Sequence, residues 1–425
     1  MTYEIESLSR LRFAIEPTGS YAIINSVTAS FTDIKILEAT IELIGEQLTN
    51  ETVQQRIDRQ AFNINSRRRC NLSFTSYLNG TGVSASKGIT AVASPVGSIL
   101  KTVMGKETFG VGGGIVSLGG NRKYVTDFTT AAGSAFGCVN PTNNRLECIR
   151  VLKTSTVQHT ASVGFSFTPA SASIAYAAAN YAFNQDPSSS LQFFVEGSRN
   201  TNDRWNLMGL NGGFSLKTEI GQLPTITFDF KEGANWASSS QGSLLQTANY
   251  TDATPPPFVD GLVYLNSINT DLVSAGEALS PIDVASFEIT PNVSYTSVMS
   301  ERGVNNILRK RRERSVPVAT GKFISYYEDT NYFAVKDNIT STTTNSIGGT
   351  RLVDIGFQVG TIPGQTVFIS MPACQLTNVN RVDAGGLAGV EVSFACFEPT
   401  HAVPANTLVV EEQDAAFSPL SIHFL

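Results

Sequence analysis

A chain of 425 residues has room for two or three domains with cores of their own, and a hydrophobic share of 41% excludes a disordered polymer. The net charge of −6 argues against a general nucleic-acid binder, which needs a basic face, although local basic patches are compatible with it. Charged residues make up only 16%, which fits either a protein that buries much of itself against neighbours or a β protein with many polar turns.

The start, Met1-Thr2-Tyr3-Glu4-Ile5-Glu6, has neither the basic nor the apolar region of a secretory signal, and no segment has the uninterrupted apolar length of a membrane span. Residues 1–37 read as an N-terminal arm, in which Arg12 to Pro17 alternates briefly. A first domain follows over 38–250. Its first strand, Ala39-Thr40-Ile41-Glu42-Leu43, leads through a polar loop, Thr49 to Arg69, to a second, Asn71 to Tyr77. Ser94 and Pro95 suit the N-cap and first turn of a helix. Ile99, Leu100, Val103 and Met104 give it an apolar stripe, and Gly105 is placed for its C-cap. A segment at about 106–183, rich in glycine turns and short apolar pieces, reads as an inserted β subdomain. Ala170 to Phe183 suits helix by its alanines and strand by its flanks.

Phe214-Ser215-Leu216 and Ile226 to Phe230 close the first domain, and 251–258, with three consecutive prolines, is a linker. The second domain, 259–425, repeats the pieces in order. Ala285-Ser286-Phe287-Glu288-Ile289 is followed by a loop ending in Arg309 to Arg314, then by Lys322 to Tyr326. Cys374-Gln375-Leu376 and Val390 to Phe394 come after. Matching pieces in matching order point to an internal duplication. The insertion is what separates the two copies in length. The closing Leu420 to Leu425 is apolar and alternating, hence docked.

The residues offer little chemistry. Neither Gly105-Lys106 nor Gly321-Lys322 is followed by Ser or Thr, so there is no P-loop, and there is no Gly-x-Ser-x-Gly elbow. No pair of cysteines has metal-ligand spacing, and without an export signal five scattered cysteines read as reduced thiols; no cofactor or metal is expected. A hydrolase assembled from distant residues would use His159 or His401 as its base. The arginine-rich loops are the other feature: Arg56, Arg59, Arg67, Arg68 and Arg69 in the first, Arg302, Arg309, Arg311 and Arg312 in the second. They read as solvated charge runs, as contacts between subunits, because arginine forks pair well with carboxylates across interfaces, or, third, as contacts to a nucleic-acid backbone, which the interspersed Glu51, Asp58, Glu301 and Glu313 disfavour.

As an ordered set, these features resemble the major tail tube proteins of long-tailed bacteriophages. The set comprises Ala39 to Leu43 with Glu46 to Arg56, then Leu72 to Leu78, then the helix ending at Gly105. Met208 to Leu216, the turn Gly221 to Pro224, and Ile226 to Trp236 complete it. The second half echoes the first, second and fourth of these, without a clear helix. The resemblance implies tandem antiparallel β-sandwich domains, the first with one helix. It also implies a non-enzymatic virion protein, assembled in the host cytoplasm, whose rings stack into the tube that conducts double-stranded DNA. Duplicated members of the family suggest three chains per ring. Implied partners are further copies of the chain and the tape-measure, tail-tip and tail-terminator proteins, with no membrane. The rival reading is a capsid decoration or fibre module.

Three placements follow. The insertion belongs outside the tube, because an element present in one repeat only would break a pseudo-sixfold bore. The arginine loops are expected to bridge chains or rings. Four acids alternate with apolar neighbours in strands, Glu42, Asp229, Glu288 and Glu391, and these are the candidates for the lumen.

Overall fold

A computed structural model describes residues 8–16, 31–49, 63–117, 123–128, 133–154, 158–161, 164–171, 173–183, 190–197, 204–238, 255–256, 261–267, 281–304, 307–313, 315–326, 352–398 and 418–425. The protein is mainly β and antiparallel, with one α-helix among the described residues. The chain begins with β1 (Leu8–Ile15), β2 (Thr32–Ile34), β3 (Glu38–Thr49), β4 (Asn63–Tyr77) and helix α1 (Gly97–Met104). It continues through β5 (Gly105–Phe109), β6 (Gly113–Ser117), β7 (Lys123–Thr126), β8 (Ala135–Asn140), β9 (Arg145–Thr154), β10 (Gln158–Ala161), β11 (Ile174–Ala177) and β12 (Ala179–Phe183). Next come β13 (Leu191–Gly197), β14 (Arg204–Glu219), β15 (Thr225–Gly233), β16 (Asn235–Ser238), β17 (Leu262–Ser267), β18 (Pro281–Pro291), β19 (Ser294–Val304) and β20 (Ile307–Glu313). The last strands are β21 (Ala319–Tyr326), β22 (Leu352–Val359), β23 (Val367–Ala384), β24 (Leu387–Cys396) and β25 (Ser421–Phe424).

Alternation builds the principal sheet. Along β15, Ile226, Phe228 and Phe230 are buried while Thr225, Thr227 and Asp229 are half-buried, the pattern of a strand with one wet face. Hydrogen-bonded neighbours run β3-β4-β15-β14-β18-β21-β24-β23. The first four strands belong to the first copy and the last four to the second, in the same order. With Ile41 set against Phe287, the registers of the two ladders run in step. Ile41 faces Leu72 and Leu72 faces Phe230; in the second copy Phe287 faces Phe323 and Phe323 faces Val392. Two sequence matches fail this test, the first because Phe230 falls in the place of Val392, which offsets Ile226 to Phe230 from Val390 to Phe394 by two residues. Phe214 lies opposite Phe228, whose counterpart Val390 lies opposite Arg381, so Cys374 to Leu376 does not occupy the place of Phe214 to Leu216.

β14 and β23 each cross between layers. β14 pairs with β13 and β16 near its start and with β15 and β18 near its end. β23 pairs first with β22 and β25, then with β24. The second layer under the first copy is therefore β2-β1-β13-β14-β16, and under the second copy β17-β22-β23-β25. Leu8–Ile15, read from sequence as part of an arm, is thus inside the sandwich. Asp33 fixes it there by accepting from Arg10 Nε at 2.6 Å and Arg12 Nε at 2.9 Å. One apolar core runs through both copies, with Phe74, Phe193, Phe228 and Phe230 clustered in the first and Phe287 stacked on Phe357 at 3.8 Å in the second.

Gly105, in the left-handed region at φ 96°, ends α1 and donates its N–H to Lys101 O. Ser94 is not the N-cap. That position is Val96, and Ser94 Oγ instead donates to Asn79 O at 3.0 Å, holding the preceding turn. Between β5 and β12, which pair with each other, lies a closed barrel in the order β10-β7-β6-β11-β8-β9 with a separate core around Phe136, Cys148 and Ile149. The alanine-rich stretch is strand, β11 and β12, because its residues close this barrel and its stem. All five cysteines are thiols; Cys374 and Cys396 face each other with their sulfurs 3.4 Å apart. Of the expected linker, only 255–256 lies within the described residues.

The barrel's position relative to the principal sheet follows from β22. Val353, Ile355, Phe357 and Val359 point into the shared core, so Asp354 and Gln358 point the other way. Asp354 pairs with Arg150 of the barrel, Gln358 Oε1 accepts from Cys148 N at 3.0 Å, and Gln358 Nε2 donates to Leu146 O at 2.7 Å. The order through the molecule is wet face, principal sheet, core, second layer, inserted barrel.

Candidate assembly surfaces

Five surfaces stand out: the wet face, its two edges, the paired arginine strands at one end and the turns at the other. Cross-strand partners share a face, so the register ladder assigns the wet one. Glu42 lies opposite Asn71, Ser73 opposite Asp229, Asp229 opposite Gly213, Lys217 opposite Glu288, Glu288 opposite Lys322, and Ile324 opposite Glu391. Glu42, Asp229, Glu288 and Glu391 therefore share one face of one sheet, turned away from the inserted barrel. Between them stand Thr40, Ser73, Thr225, Thr227, Ser215, Ser286, Thr290, Thr320 and Ser393.

The acids are partly answered in place. Glu42 Oε2 accepts from Asn71 Nδ2 at 2.7 Å, and Lys231 Nζ lies 2.8 Å from Asp229, whose hydrogen bond raises the lysine's pKa. Lys322 sits between Glu288 at 4.0 Å and Glu391 at 3.5 Å. Glu38, Glu42, Glu219, Asp229, Glu288 and Glu391 outnumber Lys217, Lys231 and Lys322, so the face is mildly acidic with short fixed dipoles.

Edges come next. Among the described residues, β3 pairs only with β4, and residues 377–384 of β23 pair only with β24. Sequence reading missed the feature that gives these edges meaning, the β14–β18 junction. There Leu216 faces Ile289, Lys217 faces Glu288, Thr218 faces Phe287 and Glu219 faces Ser286. It joins the last strand of one copy to the first strand of the next, and no local pattern announces a pairing between repeats.

Where the arginine segments are described, they are strands rather than loops. Arg67, Arg68 and Arg69 lie within β4, opposite Glu46, Gly45 and Ile44; Arg56 and Arg59 fall outside the described residues. Arg68 stacks over Trp236 at 4.9 Å, and Arg69 reaches Glu232 at 3.6 Å. Arg302 is in β19 and Arg309, Arg311 and Arg312 are in β20; the side chains of Arg302 and Arg309 are outside the described set. β19 and β20 pair and lie across the end of the first copy. Arg312 Nη1 donates to Val103 O at 3.1 Å and to Met104 O at 3.4 Å, the carbonyls that α1 leaves unpaired at its C-terminus, and its guanidinium lies 4.1 Å over Phe183. Lys310 Nζ donates to Lys231 O at 3.0 Å and also to Glu232 O; burial pulls its pKa down to about 8. Tyr295 OH donates to Gly212 O at 3.4 Å, and burial pushes its pKa up to about 12. A cleft of about 470 Å³ remains under the hairpin base, lined by Gly213, Thr227, Asp229, Thr290 and Lys310. Arg312 thus has an intrachain task, which the reading of these arginines as contacts between subunits did not include.

The histidines have structural surroundings. His159 bonds to Thr126 Oγ1 at 2.7 Å, stacks on Phe128, and has its pKa lowered by burial; His401 is outside the described residues. Ser370 Oγ, His423 Nε2, His423 Nδ1 and Asn180 Oδ1 form a chain with two links of 2.8 Å, a spacing like that of a nucleophile, base and orienter. Ser370 and His423 are 2% and 0% exposed, however, and burial drives the His423 pKa down to about 3. A neutral histidine sealed between β12, β25 and β23 stitches the barrel stem to the second copy.

No protein-family model matches this chain, and no curated protein matches it.

Proposed function

We propose that the chain is a structural subunit of a phage-type tail tube, in which copies join edge to edge into rings and the wet face lines the bore. The observation that carries this reading is the β14–β18 junction. It joins one four-strand unit to an equivalent one within the chain, while among the described residues the counterpart edges, β3 and residues 377–384 of β23, pair with one strand each, β4 and β24. Repeating that junction between copies adds a strand pair at each end and removes both edges, which otherwise invite indiscriminate pairing. Three chains then supply six units. Roughly 24 strands at ~4.8 Å spacing give a circumference of about 115 Å, or a diameter near ~37 Å before tilt widens it. A duplex passes through such a bore.

The character of the wet face supports passage without capture. Each phosphate neutralised by a fixed cation adds salt-sensitive affinity. Here Lys231 and Lys322 stand beside Asp229, Glu288 and Glu391, and hydroxyls and amides fill the gaps. The inserted barrel, behind the second layer, stands on the outside in this arrangement and leaves the bore to the duplicated strands. The test is helical reconstruction of the self-assembled protein. Threefold rings with pseudo-sixfold inner density are expected, with Glu42, Asp229, Glu288 and Glu391 facing the axis. Six whole chains per ring, or compact particles in place of tubes, would overturn the reading.

A further inference from the structure

Two buried thiols of the second copy touch. Cys374 lies opposite Cys396 across β23 and β24, their sulfurs are 3.4 Å apart, and both residues are 0% exposed. Phe397 N donates to Ala373 O at 2.8 Å, so the ladder bond falls beside the pair and the cysteines form a non-hydrogen-bonded pair. Such pairs set their Cα atoms about 4.5 Å apart, inside the range of about 4.4–6.8 Å that a disulfide spans. Cys374 also lies opposite Val353 of β22, which makes it the residue at which β23 passes from the second layer to the principal sheet. The remaining cysteines are arranged differently. Cys70 Sγ donates to Asn235 O at 3.4 Å. Cys138 lies opposite Glu147 and Cys148 opposite Gly137, which turns these two thiols to opposite faces of neighbouring strands.

We propose that Cys374 and Cys396 are a disulfide site of the folded chain, closed by a peroxide and reopened by a thiol reductant, that pins β23 to β24 where β23 changes layer. The step balances with the peroxide as sole oxidant. One thiolate attacks a peroxide oxygen, the O–O bond breaks, and a sulfenic acid and hydroxide result. The neighbouring sulfur then displaces the hydroxyl from the sulfenic sulfur and the S–S bond forms. Each sulfur loses one electron, each peroxide oxygen gains one, and the two thiol protons leave in two waters. Burial, with Cys396 alongside, raises the Cys374 thiol well above its ordinary pKa, so thiolate is scarce and closure is slow. A small neutral oxidant enters such a core more readily than a bulky disulfide does. Under reducing conditions the chain keeps both thiols, and under oxidising ones it is stapled. The site is independent of whether copies form rings.

The experiment exposes the folded full chain to hydrogen peroxide for hours at about pH 8, near the range where a thiol begins to ionise. Quenching, denaturation and alkylation with iodoacetamide follow. Three of the five cysteines should alkylate, against all five in untreated protein. Trypsin cuts after Arg381, between the two cysteines, so segments 352–381 and 382–425 should run as one species that a reductant separates. The urea midpoint should rise on oxidation and return on reduction. Cys396→Ala should abolish the linkage, and Cys148→Ala, in the barrel, should leave it intact. Five alkylated cysteines after peroxide would overturn the proposal. So would Cys374 oxidised to sulfinic acid with no linked pair, linkage that forms only when the chain is first unfolded in urea, or an unshifted midpoint in the linked protein.

Discussion

The first and second repeats share a four-strand order and a register, and they differ in what they do with the space at the end that bears the arginine strands. In the first, β3 and β4 stay paired from Glu38 to Thr49, with Arg68 laid on Trp236 of the same repeat. In the second, the strands break after Pro291, and β19 and β20 lie across the neighbouring repeat, where Arg312 takes the C-terminus of α1 and Lys310 takes the carbonyls of Lys231 and Glu232. One hairpin is spent inside the chain, and the other is left at an outer edge. A duplicated chain can therefore fix one of its inter-unit joints permanently and keep the matching joint for assembly.

The largest expected effect tests whether the repeats are separable at all. Phe287 stacks on Phe357 in a core that continues into the Phe74 and Phe228 cluster. Phe287→Ala should cost about 3–5 kcal/mol, as buried aromatic truncations do. Urea unfolding followed by fluorescence and by far-ultraviolet dichroism should show a single shifted transition. Two separated transitions would mean that the continuous sheet does not couple the copies and that they unfold as independent domains.

The stem that joins the inserted barrel to the second repeat provides the next test. His423 has an ordinary pKa of 6.5 and a folded value near 3 because it is buried. Between those values the unfolded chain binds a proton that the folded chain excludes, so stability falls as pH drops from about 6.5 toward 3. The loss is about 1.4 kcal/mol per pH unit. His423→Gln should flatten that slope in denaturation series run from pH 7 to 4. An unchanged slope would move the acid sensitivity elsewhere.

Arg312→Ala should then cost about 1–2 kcal/mol, combining a lost helix C-terminal contact with a lost guanidinium–ring contact, and should raise hydrogen exchange at Val103 and Met104. Arg68→Ala removes the stack on Trp236, a contact worth about 0.5–1 kcal/mol, and should cost less than Arg312→Ala. Equal costs would erase the distinction between the inward-seated hairpin and the outer one.

Much of the architecture was legible because burial imposes a period of two. Ile41, Leu43, Phe287 and Ile289 announced their strands, and the acids between them their wet face. Gly105 announced the end of the helix. What was hidden depended on pairings far apart in sequence. The β14–β18 junction left no local trace. Cys374 to Leu376 resembles Phe214 to Leu216 in composition, yet short β segments do not carry their own register, and the ladder places Arg381 at that depth. The arginine segments read as loops because strings of like charge are poor strand formers in isolation. Pairing with Ser294 to Val298 and with Ile44 to Glu46 decides otherwise.

The smallest effect bears most directly on the proposed ring. Within the chain, Lys217 sits opposite Glu288 at the junction. Carrying the register over, Glu42 takes the place of Glu288 and Ala384 the place of Lys217, so a junction between copies would set Ala384 of one chain against Glu42 of the next. Ala384→Lys should then recreate the intrachain pair at the outer edge. Opposite charges facing each other on an antiparallel pair contribute roughly 0.2–1 kcal/mol. Repeated at each joint of a ring, that should lower the protein concentration at which rings form by a few-fold, as read by light scattering or sedimentation. Monomer stability should hardly change, because Ala384 is at a turn and among the described residues its strand partner is Leu387. The discriminating control is Glu42→Gln in the same background. If the gain from Ala384→Lys disappears there, the two positions meet across the joint. A gain that persists undiminished places the lysine against some other acid and displaces the register, even where rings still form.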